Sequence, residues 1–130
     1  MSASDRHWTP VTLPDLPPPA GAYSPGTRAG NFLYVSGQTP RDPASGQIVG
    51  TSVEDQTRVT LANVARVLQA GGATLAHVVS VTIYLTDEDN WGAVNEVYKT
   101  VFTPPYPARA VVGASLRGIL VEIAAVAYIP

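Results

Sequence analysis

The sequence predicts an α+β fold in which two helices pack on one face of a mixed β-sheet. Three observations support this prediction. Two segments repeat apolar residues at helical spacing, several short segments alternate apolar and polar residues as half-buried strands do, and the two kinds of segment follow one another along the chain. The length of 130 residues suits a single domain with one hydrophobic core.

The composition is that of a folded domain without a polyanion-binding surface. Charged residues make up 14% of the chain and apolar residues 45%, the opposite of a disordered composition. The basic residues are scattered and the net charge is −2, so no nucleic-acid partner is expected. The chain has no cysteine and two histidines, so neither a thiolate metal site nor a histidine-rich metal site is expected. No segment has the ~20 consecutive apolar residues of a membrane span, so we expect no membrane partner and a cytoplasmic location.

The first twenty residues are predicted to form a proline-rich arm, and residues 21 to 130 the single domain. The arm holds five of the twelve prolines, which disfavour both helices and central strands.

The segment 32–36 is rich in aromatic and β-branched residues and predicts a strand that ends at Gly37. Residues 41–49 contain Pro, Asp, Ser and Gly, which favour a loop or a loose hairpin.

Capping signals and apolar spacing predict the two helices. Ser52 stands three residues before Asp55, as in a capping box, and the first helix is expected over 53–70. The second helix is expected to be capped by Thr86 and to end before the two prolines at 104 and 105. Its apolar face would consist of Trp91, Val94, Tyr98, Val101 and Phe102.

The remaining strands are predicted from alternation. One strand would turn Val79, Val81, Ile83 and Leu85 toward the core. Residues 108–114 and 119–129 are predicted to form the last two strands, joined by a tight turn at 115–118. If these two strands form an antiparallel hairpin, Arg109 and Glu122 lie on neighbouring strands and share one pocket.

Glu122 is the most informative residue, because it lies inside an otherwise apolar strand. A glutamate is rarely fully buried without a partner, and Arg109 is its nearest candidate in the sequence. One interpretation is an ion pair that only neutralises two inward charges. The other is a site for a small carboxylate substrate, in which the arginine fork binds the carboxylate and the glutamate orients or deprotonates water.

Five collinear motifs resemble the successive signatures of the RidA/YjgF family. They begin at Gly21 and continue to the end of the chain with family-like order and spacing. Their sequences are GAYSPG (21–26), YVSGQTP (34–40), NEVY (95–98), PARA (107–110) and VEIAAVA (121–127).

The resemblance implies a chorismate-mutase-like, YjgF-type fold and a homotrimer with three clefts between subunits. It also implies cofactor-free hydrolysis of reactive enamines and imines, such as 2-aminoacrylate, to a 2-oxo acid and ammonia. In that mechanism Arg109 grips the substrate carboxylate and Glu122 positions the attacking water, so both are candidate catalytic residues. The candidate substrate-binding residues beside Arg109 are Tyr23, Ser36, Gly37, Asn95 and, through its backbone, Val111.

Most of these residues also have a plainer interpretation. Tyr23 suits an ordinary interface, Ser36 a hydroxyl bonded to backbone, Gly37 a turn, and Asn95 the anchor of a loop. Outside the motifs, His77 is interpreted as a surface or capping residue. The acidic run 87–89 is interpreted as helix N-terminal charge rather than as a metal site.

Three departures from the family pattern leave the substrate open. Val111 stands where the best-known branch often has a cysteine, Ala124 replaces a second acidic residue, and the turn 115–118 lacks the usual Leu-Pro. The first hypothesis is a broad enamine/imine deaminase. The alternatives are a member dedicated to one pathway intermediate, such as a 2-aminomuconate-type deaminase or a tailoring enzyme, and a non-catalytic trimer that binds small ligands. A ribonuclease or translation inhibitor is disfavoured by the charge.

Overall fold

The structure is a computed structural model that describes residues 5–130. Within this range, two helices and six strands follow one another in an α+β order. The elements are β1 (Thr9–Val11), β2 (Gly26–Ala29), β3 (Phe32–Gln38), α1 (Val53–Ala70), β4 (Val78–Leu85), α2 (Trp91–Val101), β5 (Ala108–Gly113) and β6 (Val121–Tyr128). Neither helix in this range is long and apolar enough to cross a membrane.

The strands of residues 5–130 form one mixed sheet with the order β1-β2-β3-β6-β4-β5. All neighbouring strands are antiparallel except β4 and β5, which are parallel. The predicted hairpin of the last two strands is therefore wrong, because β4 lies between β5 and β6. The reason is the connection through α2: a helix that joins two neighbouring strands of one sheet returns the chain parallel to the first strand.

Both helices pack on one face of the sheet, as predicted, and the core lies between them and the sheet. In β6, Val121, Ile123, Ala125 and Ala127 are buried on this face, while Glu122, Ala124 and Val126 face the other side. From the helices, Leu61 and Val94 complete the same hydrophobic cluster. This alternation fixes the face of the sheet on which each β6 side chain lies.

Two local predictions need correction. Val79 is 45% exposed, because a register irregularity between Val78 and Ser80 turns it away from the core. Thr86 does not cap the second helix. The carboxylate of Asp87 instead accepts a hydrogen bond from Asp89 N at 2.9 Å, which caps a short 3-10 turn, and α2 begins only at Trp91.

Neither helix covers the opposite face of the sheet, which exposes an aromatic cluster. The ring centroid of Phe32 lies 5.2 Å from that of Tyr128 and 6.5 Å from that of Tyr34. The three side chains are between 41% and 46% exposed. Glu122 and Val126 of β6 lie on this same face, since Val126 pairs with Tyr34. An exposed apolar patch of this kind is typical of an interaction surface.

The first helix begins where the capping signal predicted it. Ser52 Oγ accepts a hydrogen bond from Asp55 N at 3.1 Å, and the helix ends at Ala70 with Gly71 as its C-cap. Farther along α1, the buried Asn63 donates hydrogen bonds to the carbonyl oxygens of Thr39 at 2.9 Å and Arg41 at 2.8 Å. These bonds fix the start of the loop that follows β3.

We expect Asn63→Ala to destabilise the fold by about 1–3 kcal/mol, because it removes the two hydrogen bonds that the buried Asn63 amide donates to the loop. The measurement is the free energy of unfolding from urea titration. Gln69→Ala is the matched control, since Gln69 is an exposed amide on the same helix. An Asn63→Ala variant as stable as this control would show that the loop does not depend on these bonds.

Candidate active site

Arg109 and Glu122 lie far apart in the sheet, which corrects the prediction that they share a pocket within one chain. Arg109 pairs with Val81 of β4, whose side chain is buried on the helix face. Glu122 pairs with Tyr84, whose side chain lies on the uncovered face. The two charged side chains thus belong to opposite faces, with β4 between their strands.

The alternative of an internal ion pair also fails for the described residues. Over residues 6–130, the ion pairs are Arg58 with Asp55 at 2.8 Å and Lys99 with Glu96 at 3.4 Å. Neither Arg109 nor Glu122 takes part in them. One chain therefore presents a cation on one face and a carboxylate on the other, each without a counterion in the described part.

The Arg109 side chain lies over two aromatic rings. Its Cζ atom is 4.6 Å from the ring centroid of Tyr98 and 5.3 Å from that of Trp91. A cavity of about 420 Å³ opens beside it between α2 and β5. Asn95 lines this cavity with Arg109, so the structure brings these two predicted site residues together.

Tyr98 is the residue of this region that the sequence interpretation assigned only to the core. Its side chain is 2% exposed and stacks on Phe102 with ring centroids 4.5 Å apart. Its hydroxyl is buried and has no hydrogen-bond partner in the described residues. Burial raises the pKa of the Tyr98 phenol, although the nearby Arg109 cation acts in the opposite direction. The sequence signal was present, because Trp91 and Tyr98 are two helical turns apart and share a face.

The Glu122 side chain lies against Gly37 on the other face of the sheet. The pairing of β3 with β6 shifts register between Val35 and Gln38, so Gly37 lies in a β-bulge. A Cβ atom added to Gly37 would lie 3.0 Å from Glu122 Cδ and collide with the carboxylate. Gly37 is therefore required by the close approach of this side chain rather than by a turn.

The other predicted site residues of β3 and the preceding loop lie near this bulge. Ser36 Oγ donates a hydrogen bond to the carbonyl oxygen of Ser24 at 2.6 Å, as its plainer interpretation expects. Tyr23 is 57% exposed and lines a second cavity, of about 310 Å³, together with Gly37. Residues 17–20 of the predicted arm form part of the wall of this cavity.

The predicted site residues thus fall into two groups. In the first group, Glu122 lies against Gly37 at the bulge of β3, Ser36 precedes Gly37, and Tyr23 lines a cavity together with Gly37. Arg109 and Asn95 line the cavity at the opposite edge of the sheet, and Val111 is half-buried two residues after Arg109 on β5. Because β5 pairs only with β4, part of its backbone has no strand partner in the described residues.

The polar residues outside the motifs have structural roles. His77 Nδ1 accepts a hydrogen bond from Thr74 N at 2.9 Å, consistent with the capping role expected for it. Asp87 caps the turn before α2. In residues 5–130, no three His, Cys, Asp or Glu side chains are grouped as metal ligands.

We expect Gly37→Ala to lower turnover strongly while leaving the fold intact, because the added methyl group must displace the Glu122 carboxylate. Such a displacement costs about 10²-fold when the group takes part in the chemistry. The readouts are kcat and the urea midpoint of the same preparation. Gly92→Ala is the control, since a Cβ there meets nothing within 4 Å. Wild-type kcat in Gly37→Ala would contradict a role for Glu122 at this position.

Both the sequence and the fold of this chain are similar to those of known proteins. Residues 14–129 match the family model described as Endoribonuclease L-PSP. A RutC family protein of Pyrococcus horikoshii is 44% identical, with 88% of this chain and 92% of that protein covered. The 2-iminobutanoate/2-iminopropanoate deaminase of mouse is 41% identical, with 90% and 88% covered. The crystal structure of YyfA from Yersinia pestis, a protein of the conserved Rid family, superposes with a TM-score of 0.87 at 34% identity, with 94% and 99% covered.

Proposed function

Because this chain belongs to the RidA/YjgF family, whose model is described as Endoribonuclease L-PSP, we propose that it is an imine deaminase. Its substrates are small 2-imino acids and their enamine tautomers, such as 2-aminoacrylate. Its products are a 2-oxo acid and ammonia, and the reaction uses no cofactor. Relatives at about 40% identity carry the name 2-iminobutanoate/2-iminopropanoate deaminase, which supports this substrate class.

The observation that carries the proposal is the separation of Arg109 from Glu122. A carboxylate-bearing substrate needs a cation for binding, and water attack needs a base. One chain holds both groups without counterions, but on opposite faces of its sheet. They can serve the same substrate only if a second copy supplies one of them.

A homotrimer with sites between its subunits meets this requirement. The uncovered sheet face, with Phe32, Tyr34 and Tyr128, offers an apolar surface for packing between copies. Glu122 lies on that face, so packing through it places the carboxylate at the boundary between two chains. The Arg109 cavity of the neighbouring copy then completes the site. Cyclic symmetry repeats this contact three times.

In the proposed reaction, the imine carbon is already electrophilic and the chain supplies positioning and proton transfer. Arg109 binds the substrate carboxylate through two parallel N–H donors. With the imine protonated as an iminium, Glu122 takes one proton from water as the water oxygen bonds to the imine carbon, and a neutral carbinolamine forms. Glu122 then gives this proton to the amino nitrogen, and the C–N bond breaks to release ammonia. The hydroxyl group of the carbinolamine returns its proton to Glu122 as the C=O bond of the 2-oxo acid forms, and Glu122 passes this proton to solvent.

The remaining predicted residues would line this cleft. Asn95 lies in the Arg109 cavity and offers an amide to the substrate. Tyr23 and the bulge at Ser36 and Gly37 would close the cleft on the Glu122 side. Backbone groups of the edge strand near Val111 would hold the water or the departing nitrogen.

The direct test is ammonia release from 2-aminoacrylate generated by a dehydratase, measured above the spontaneous rate. We expect a clear acceleration that is proportional to the protein concentration. Acceleration only with a different imine would favour a dedicated pathway enzyme, for which the Val111 and Ala124 departures leave room. Binding of 2-oxo acids without turnover of any imine would favour a non-catalytic trimer.

The description of the family model also raises ribonuclease activity as a candidate. Binding of RNA depends on several phosphate contacts, and this chain has a net charge of −2 with no basic cluster. We therefore rank this function below imine hydrolysis. RNA cleavage by a nuclease-free preparation that is lost in Glu122→Gln would reverse this ranking.

The proposal that each site is shared between two chains can be tested with trimers that contain two different variants. Arg109→Ala and Glu122→Gln chains are expected to be inactive alone. After co-refolding at equal amounts, about one quarter of the interfaces pair an intact arginine with an intact glutamate, so activity is expected to return to about that fraction of wild type. The same chains mixed without exchange of subunits are the control. No recovery in demonstrably mixed trimers would place both residues of each site in one chain.

A further inference from the structure

Arg109 lies on the edge strand β5 of the sheet, and its surroundings are unusual for a charged side chain. In residues 5–130, no carboxylate is paired with it and no hydrogen bond involves its guanidinium. Its identified contacts are the ring faces of Tyr98 and Trp91, at 4.6 Å and 5.3 Å. Ring faces attract a guanidinium through its flat side, which leaves the N–H donors at its edge free.

The two rings differ in how firmly they are held. Tyr98 is buried, stacked on Phe102, and has Tyr106 on another side at 6.4 Å. Trp91 begins α2 and is 47% exposed. Tyr98 therefore provides a fixed surface for the guanidinium, and the more exposed Trp91 ring provides a second contact.

We infer that Trp91 and Tyr98 are positioning residues that hold the Arg109 fork ready for a carboxylate. We call these two side chains the aromatic clamp. The inference rests on the proposed function, in which Arg109 binds the substrate carboxylate. Without the clamp, the long arginine side chain must be ordered each time a substrate binds, which lowers affinity without changing the chemical step.

The hydroxyl of Tyr98 takes no part in the clamp. It is buried without a hydrogen-bond partner in the described residues, and its raised pKa keeps the phenol neutral. The contact with Arg109 is therefore made by the ring and not by a phenolate. It follows that Tyr98→Phe preserves the clamp.

The test uses the full-length chain and two readouts, steady-state kinetics on 2-aminoacrylate and calorimetric affinity for pyruvate, a stable 2-oxo acid. Trp91→Leu is expected to raise KM and the pyruvate Kd together by about 2- to 30-fold. We expect kcat to stay within about 2-fold of wild type, because the clamp acts on binding. Trp91→Phe should recover most of the loss, and Tyr98→Phe should match wild type in both readouts.

Two controls separate positioning from general damage. Trp8 directly precedes the opposite edge strand β1 and is 41% exposed, and Arg6 Cζ lies 5.5 Å from its ring centroid. Trp8→Leu therefore removes a similar contact away from Arg109. It should leave KM unchanged. In an Arg109→Ala background, Trp91→Leu should cause no further loss of pyruvate affinity, because the residue that it positions is gone.

The outcomes distinguish the clamp from the proposed reaction. If wild type turns over 2-aminoacrylate but Trp91→Leu leaves KM and the pyruvate Kd unchanged, the clamp is wrong and the reaction stands. If no imine is turned over but Trp91→Leu weakens pyruvate binding, the reaction is wrong and the clamp stands. A loss of kcat in Tyr98→Phe would show that the hydroxyl acts directly, which overturns the positioning role of Tyr98. Failure of wild type both to turn over 2-aminoacrylate and to bind pyruvate overturns both.

Discussion

Replacement of Glu122 by glutamine is expected to lower kcat by about 10²- to 10⁴-fold, the usual contribution of a general base. Glutamine keeps the size of the side chain but cannot accept the proton of the attacking water. The side chain lies against the bulge at Gly37, where an isosteric replacement fits without displacing its neighbour. The measurement is the initial rate of ammonia release at saturating 2-aminoacrylate, corrected for spontaneous hydrolysis.

The affinity of this variant for pyruvate decides what Glu122 does. A base should lose turnover while binding of a 2-oxo acid is retained, because the carboxylate is held by Arg109. Losses of similar size in kcat and in pyruvate affinity would instead show that the Glu122 carboxylate supports the structure of the site and does not act as a base. Glu54→Gln, which changes an exposed carboxylate in the first turn of α1, is the control for the loss of one negative charge.

Replacement of Arg109 by lysine is expected to raise KM by about 10- to 100-fold, the worth of a charge-assisted bidentate contact. Lysine keeps the charge but not the planar fork, and its ammonium cannot spread over the rings of Tyr98 and Trp91 in the same way. Steady-state kinetics and calorimetric binding of pyruvate should report the same loss.

Arg58→Lys is the matched control for this change. Arg58 is an exposed arginine on α1 that pairs with Asp55, and exposed pairs contribute little. Its replacement should leave both KM and the urea midpoint unchanged. Wild-type KM in Arg109→Lys would remove this residue from substrate binding, since no ordinary ammonium reproduces the fork.

The parts of the fold that depend on local signals were predictable from the sequence. The first helix begins after Ser52 and ends at Ala70, as the capping signal and the expected range 53–70 predict. The strand at Phe32 follows from its aromatic and β-branched residues. Both signals lie within the segment itself, so tertiary context does not change them.

The order of strands in the sheet was not predictable in the same way. The last two strands are close in sequence and suggested a hairpin, but β6 pairs with β3 and β4 instead. A sequence alternation shows which residues share a face, not which strand is the neighbour. The helix between β4 and β5 indicates how these two strands are arranged, because a helical crossover between neighbouring strands requires a parallel pair.

In the candidate site, too, some features could be predicted from the sequence and others depend on the folded chain. The types of the site residues could be recognised from the sequence, but their placement on opposite faces depends on the position of β4 between β5 and β6. The role of Tyr98 was missed because an aromatic residue at helical spacing indicates core packing first. Its contact with Arg109 joins α2 to β5 and exists only in the folded chain.

The two free edges of the sheet have consequences for how copies of the chain meet. At one end, β1 has three residues and carries Pro10, which has no N–H to donate to an incoming strand. Strand-to-strand growth from this end is therefore disfavoured. In the proposed trimer, contacts between copies would use the broad side of the sheet, where a rotational assembly can close on itself.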